Sequence, residues 1–247
     1  MIYAHRGASF ELPENTLESF ALALSLGADA IETDAHLTRD GRVVLSHDPS
    51  GERAAGIPRA SAETTFSEVR SWDVGARFTP RRKGAFTAGV RYRIPTLEEA
   101  LEQFPGITFN VDAKQTVPDM IPALLRAICA QKAEARVRIA SFSTKNLHRT
   151  RALGYTGETG LSPNEVARLM FVPRAALKWM RPRGHAAQVP RRSYGITFAS
   201  QAAIDRFHMV GLRVDFWTID DPAEAQRLFA LGADGVMTDD PRALCAQ

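Results

Sequence analysis

Residues 15–34, NTLESFALALSLGADAIETD, contain one complete joint of the fold. Asn15 can cap a helix, and Glu18, three residues on, can close a capping box. Leu17, Phe20, Ala21 and Leu24 then follow at helical spacing. Gly27 stops the helix in the left-handed conformation a glycine adopts without strain, and Ala28 to Asp34 reads as an apolar strand with carboxylates at its far end. The joint returns at Thr96–Phe104, where a Thr96/Glu99 capping box and an apolar stripe precede a strand over Ile107–Lys114. It returns again where Asp221 caps, Pro222 takes the first helical position, Gly232 stops the helix and Ala233–Asp239 forms the strand. The segments Gly27–Asp34 and Gly232–Asp239 echo each other, as expected when one helix-to-strand joint is reused.

Strands alternating with helices in this way imply βα units and a parallel sheet. Eight strands are expected, near Ile2–His5, Ala30–Asp34, Thr108–Lys114, Val137–Ser141, Tyr155–Gly160, Gly195–Phe198, Arg213–Thr218 and Gly235–Asp239, which is the number that closes a (β/α)8 TIM barrel. A ninth apolar segment, Arg42–His47, follows too closely to be a parallel member and must fold back as a hairpin. A two-residue Asp40-Gly41 turn would set Asp34 opposite His47, and a four-residue turn would set Glu32 there. Both registers put His47 on the face of Glu32 and Asp34. Residues 49–93, rich in Arg, Gly, Ala and Pro with helix signals only at Thr65–Ser71, read as a small lid-like insertion over the barrel mouth of a single-domain chain, residues 1–247.

The totals narrow the function. With 247 residues, 45% hydrophobic and 24% charged, the chain is an ordinary globular protein whose length suits one barrel. No apolar run approaches the ~18 residues a membrane span needs, and Met1-Ile2-Tyr3 leads directly into a strand, leaving no room for a signal peptide. Cys129 and Cys245 match no metal or redox spacing, so reduced thiols in a cytoplasmic protein are expected. A net charge of +3 suits a small anionic ligand and lacks the clustered basic footprint of a nucleic-acid binder.

In such barrels the chemistry sits at the C-terminal ends of the strands. Those ends are His5-Arg6-Gly7, Glu32 with Asp34, and Asp112 with Lys114, joined by His47 through the hairpin. Three carboxylates gathered at one mouth repel unless a cation lies between them, and an all-oxygen set suits Mg²⁺ or Ca²⁺. Glu32, Asp34 and Asp112 are therefore the expected ligands of a divalent cation. Phosphodiester hydrolysis needs one proton removed and one delivered, tasks matched to His5 and His47. Arg6 can fork onto phosphate oxygens and Lys114 can add a point charge.

These residues resemble the glycerophosphodiester phosphodiesterase family. The opening signature is matched by Ala4-His5-Arg6-Gly7-Ala8, Pro13-Glu14-Asn15-Thr16, Gly27-Ala28-Asp29, Ile31-Glu32-Thr33-Asp34, Thr38-Arg39-Asp40-Gly41 and His47-Asp48. The likeness resumes at Ile94–Leu101, Asn110–Lys114, Trp217–Asp220 and Gly235–Pro241, and fades over residues 160–195. It implies a TIM barrel of the PLC-like phosphodiesterase type that cleaves glycerophosphodiesters to glycerol 3-phosphate and an alcohol with a divalent cation. It also implies that Trp217 lines the pocket beside the glycerol or alcohol moiety. Asp112 departs from the family's usual glutamate and Asp220 from its usual asparagine.

Plainer readings stand beside these. Trp217 can be barrel core, and Glu32 with Asp34 can be a solvated strand end paired with Arg6. Asp239 takes the place of Asp34 in the echoed segment, but Met237 replaces Glu32, which favours a structural or capping role. His36, His148, His185 and His208 have no catalytic setting. Residues 169–192 mix apolar and basic side chains in a way that membranes or lysolipids could meet, although a solvated loop-helix fits Pro173 and Pro182 better. The rival functions are lysophospholipase D-like cleavage and a catalytically silent phosphate-binding barrel.

Overall fold

The computed structural model of the chain describes residues 1–245. Its main sheet has eight strands: β1 (Ile2–His5), β2 (Ala30–Leu37), β3 (Val43–Leu45), β4 (Thr108–Ala113), β5 (Val137–Ala140), β6 (Ala186–Val189), β7 (Arg213–Phe216) and β8 (Gly235–Thr238). Seven of them run parallel in the order β5-β4-β2-β1-β8-β7-β6, and β3 pairs antiparallel with β2. Thr159 and Gly160 bridge Ile139 of β5 to Ala186 of β6, which closes the ring. The result is an α/β TIM-type barrel.

The strand order holds two corrections. Of the strand expected near Tyr155–Gly160 only Thr159 and Gly160 pair, as isolated bridges. The segment expected near Gly195–Phe198 is not a barrel strand. Arg192–Ser193 and Ile196–Thr197 instead form a small antiparallel ribbon, turned by Tyr194 at φ 46° and Gly195 at φ 79°. Positive φ at both central residues is what a two-residue hairpin turn requires. The barrel strand is β6, whose Ala-Ala-Gln-Val carries almost no β signal of its own and is set by pairing with β7.

All eight residues of β2 are buried because helices cover its outer face while the barrel interior covers the other. Ile31 and Ala35 pack outward in a core with Phe20, Phe109 and Leu124. Phe20 meets Phe104 and Phe109 edge-on at 6.3 and 6.1 Å. Burying such a ring contributes about 1.5–3 kcal/mol. The inward set of β2, at alternate positions, is Glu32, Asp34 and His36. Parallel register sets His5 beside Glu32 and Asp34 beside Asp112. Deeper inside, Arg138 bonds the Tyr3 hydroxyl, Asp215 at 2.8 Å and Glu158 at 2.6 Å.

The helix caps follow the sequence at Thr96/Glu99 and at Asp221 with Pro222. They depart from it at the first helix, Leu17–Ser25, which is capped by Thr16 and not by Asn15. The insertion is a packed unit. Ser50–Gly51 pairs with Ile57–Ala60, Phe66–Arg70 is a helix with a Thr65/Glu68 capping box, and Val69, Trp72, Val74 and Tyr92 share a core with Leu12, Val44 and Ile94. No helix among the described residues is long and apolar enough to cross a membrane.

Candidate active site

The hairpin that carries His47 has neither expected register. Ala35 faces Leu45 and Leu37 faces Val43, so the loop has three residues, 39–41. Gly41 donates to the Thr38 carbonyl at 3.0 Å and takes φ 80°, while Thr38 Oγ1 bonds Asp40 at 2.6 Å. This is a turn followed by a left-handed residue, the usual three-residue solution. Continued regularly, that register would aim position 47 away from Asp34. The strand ends at Leu45, the last bond of the ladder runs from the Ser46 amide to the Asp34 carbonyl, and His47 then leaves the strand and lies where an imidazolium lowers the pKa of both Asp34 and Asp112. His36, left without a role on sequence grounds, donates from Nε2 to the His47 carbonyl at 3.2 Å and helps fix that departure.

His5, at the end of β1, has Nδ1 2.7 Å from Asp239 Oδ1, and Ser9 Oγ donates to the same oxygen at 2.9 Å. Its Nε2 is 3.8 Å from Glu32 Oε2. Burial opposes the imidazolium, but Glu32 and Asp239 together raise the His5 pKa above its ordinary value. His47 Nδ1 is 2.9 Å from Asp48 Oδ1, and Asp48 is held in turn by Arg53 at 2.5 Å. With Nδ1–H directed at a carboxylate, each neutral imidazole carries its lone pair on Nε2, where it can take a proton and, once protonated, give one. Asp239, for which a structural or capping role was expected, holds the His5 ring and the Ser9 hydroxyl. The clue in the sequence was its place as the counterpart of Asp34 in the echoed segment. Asp220 supports it by accepting bonds from the Asp239 amide at 2.8 Å and from Thr238 Oγ1 at 2.9 Å.

The carboxylates are more tightly engaged than expected. Lys114 Nζ lies 2.9 Å from Asp34 and 2.6 Å from Asp112, so the cation assigned to phosphate serves these acids here. Arg6, likewise assigned to phosphate, pairs with Asp34 at 3.0 Å and Glu14 at 3.4 Å. Asn15 explains its loss as a helix cap: it sits at φ 57°, donates to Asp34 at 3.1 Å and accepts from Thr33 at 2.6 Å. Burial works against the ionised form of Asp34, yet Lys114 and Arg6 hold its pKa below the usual range. Burial dominates at Asp112 and raises it. Burial and the charge of Asp34 push Glu32 up to about 8. Trp217, at the end of β7, meets Phe142 edge-on at 5.7 Å, and Lys114 lies 5.6 Å from the Phe142 ring.

Among the described residues no three Asp, Glu, His or Cys side chains stand as a ready-made ligand set. Two buried carboxylate oxygens, Glu32 Oε2 and Asp112 Oδ1, nevertheless have no hydrogen-bond partner. Buried polar atoms of this kind are uncommon. Two orphaned oxygens in an all-carboxylate group fit a hard divalent cation.

The family model for the glycerophosphoryl diester phosphodiesterases matches residues 5–243. A glycerophosphodiester phosphodiesterase of Caldanaerobacter subterraneus subsp. tengcongensis is 29% identical, covering 99% of this chain and 96% of its own. Human lysophospholipase D GDPD1 is 28% identical, covering 98% of this chain and 83% of its own. A phosphodiesterase of Oleispira antarctica, solved with the product sn-glycerol-3-phosphate, shares the fold with a TM-score of 0.79 and 23% identity, over 100% of this chain and 95% of that one. With a barrel, a histidine-carboxylate rim and a family match over nearly its whole length, the chain belongs to the glycerophosphoryl diester phosphodiesterase family and is a phosphodiesterase.

Proposed function

We propose that the chain hydrolyses glycerophosphodiesters to glycerol 3-phosphate and an alcohol, with His5 and His47 as its proton-transfer groups. The observation that carries this reading is the pair of imidazoles on one rim, each with Nδ1 held by a carboxylate. One Nε2 accepts the proton of the attacking oxygen and the other delivers one to the leaving alkoxide. Arg6 and Lys114 border the same rim and supply positive charge for the phosphate, and Trp217 with Phe142 walls its far side. Glu32, Asp34 and Asp112 would hold Mg²⁺ or Ca²⁺, and when bound the cation offsets charge developing at phosphorus.

One barrel domain with an insertion near residues 49–93 remains our reading of the chain, and the free Cys129 and Cys245 support a reducing, cytoplasmic setting. The lysophospholipase D name of a relative raises lipid diesters as a second substrate class. Arg6, Glu14, Asp48 and Arg53 line the cavity beside His47, a charged wall that favours water-soluble diesters. The test is kcat/KM on glycerophosphocholine and lysophosphatidylcholine for wild type, His5→Ala and His47→Ala, with Mg²⁺, with Ca²⁺ and with EDTA. Each substitution should lower the rate on the soluble diester by ~10²–10⁴, and chelator should abolish it. Wild-type rates in both variants with metal present would overturn the histidine assignment.

A further inference from the structure

A glycerophosphodiester places two different groups on either side of one phosphorus, and the site has two different flanks. Trp217 and Phe142 stand on one flank. On the other a cavity of about 400 Å³ opens past Arg6, His47 and Asp239 and ends against Arg53, Arg77 and Arg81 of the insertion. At ~30 Å³ per water it has room for about a dozen waters, more than a six-heavy-atom glycerol displaces.

The charges of this cavity are unevenly matched. Glu14 bonds Arg53 at 2.6 Å and Arg6 at 3.4 Å, Asp48 bonds Arg53 and His47, and Asp239 bonds His5. Every acid in the wall is thus already engaged. Arg77 and Arg81 are exposed and have no carboxylate partner among the described residues. Arg77 donates to the Glu52 carbonyl at 2.9 Å, and Arg81 lies 4.9 Å over the Phe10 ring. Two cations facing a cleft with no assigned counter-charge attract anions and repel a quaternary ammonium.

Resting on the phosphodiesterase reading, we infer that this cavity receives the alcohol half of the diester and selects alcohols bearing a carboxylate or phosphate over choline. Glycerol, common to every substrate, then occupies the Trp217 flank.

Three substrates test it: glycerophosphocholine, glycerophosphoglycerol and the terminally phosphorylated form of the latter, whose heads are cationic, neutral and anionic. Wild type should favour the anionic head. Arg77→Gln and Arg81→Gln should each lower the anionic-to-cationic kcat/KM ratio about two- to fivefold, as expected of exposed charge pairs. Arg77→Glu should move it further towards choline, and high salt should compress the wild-type ratio. An unchanged ratio in the double Gln variant overturns the inference. So does an equal loss on all three substrates with weakened inhibition by glycerol 3-phosphate, because that outcome places glycerol in the cavity. Calorimetric affinities for the same diesters give the same ratio without turnover, so an inactive wild type would remove the phosphodiesterase reading and still leave the selectivity decided.

Discussion

Replacing Asp239 by asparagine preserves size and removes the charge that faces His5. The carboxylate accepts from His5 Nδ1 at 2.7 Å and from Ser9 Oγ at 2.9 Å on the same oxygen. An amide can keep one of these contacts as a neutral acceptor, or turn its NH₂ towards the ring and favour the wrong tautomer. A hydrogen bond to a charged group contributes about 1.5–3 kcal/mol, which corresponds to about a ten- to 150-fold loss in kcat. KM should stay within about twofold, because Asp239 acts through His5. The assay is steady-state release of choline from glycerophosphocholine, with thermal unfolding of each variant as a check on folding. A double-mutant cycle separates positioning from structure. In the His5→Ala background, Asp239→Asn should remove nothing further. An undiminished kcat in the single variant, or a full additional loss in the double, would refute the argument.

Further predictions concern the scaffold. Arg138→Ala leaves the fully buried Asp215 carboxylate with Arg213, at 3.5 Å, as its remaining cation, and should lower unfolding free energy in urea by about 3 kcal/mol, the low end for a broken buried pair. Gly7 has φ +87°, and a Cβ there would lie 2.0 Å from Ser19 Oγ and 2.8 Å from the Ser19 backbone, so Gly7→Ala should destabilise by about 2 kcal/mol or more on the same measurement. Burial opposes ionisation of Glu165, but Arg151 and Ser162 hold its pKa below the ordinary 4.5. Stability from a depressed carboxylate is present above the unfolded value and lost as pH falls through the folded one. The Tm difference between wild type and Glu165→Gln should therefore be largest near neutrality and shrink in acid.

Much of the fold is written in short-range chemistry. Gly27 and Gly232 take the positive φ their helix ends require, Thr96 with Glu99 and Asp221 with Pro222 cap as their residue types demand, and the first strand ends at His5 as its apolar run does, whereas β2 runs past Asp34 to Leu37 because it pairs with β3 there. The caps, the helix ends and the end of the first strand depend on neighbours a few residues apart, so the linear chain determines them. β6 was not legible, because Ala186–Val189 is a strand only through its pairing with Arg213–Phe216.

The site divides in the same way. Its residue types were set in the sequence, and parallel register alone brings Asp34 beside Asp112. Their partnerships were decided in three dimensions. Asp239 reaches His5 across 234 positions of chain, Asn15 leaves its cap for Asp34, and Lys114 settles between two acids. His47 reaches the rim because the ladder ends before the alternation of its strand would turn it away. Buried charges take whichever counter-charge and donor the closed barrel brings within reach, and that choice depends on distances that exist only once the ring has formed.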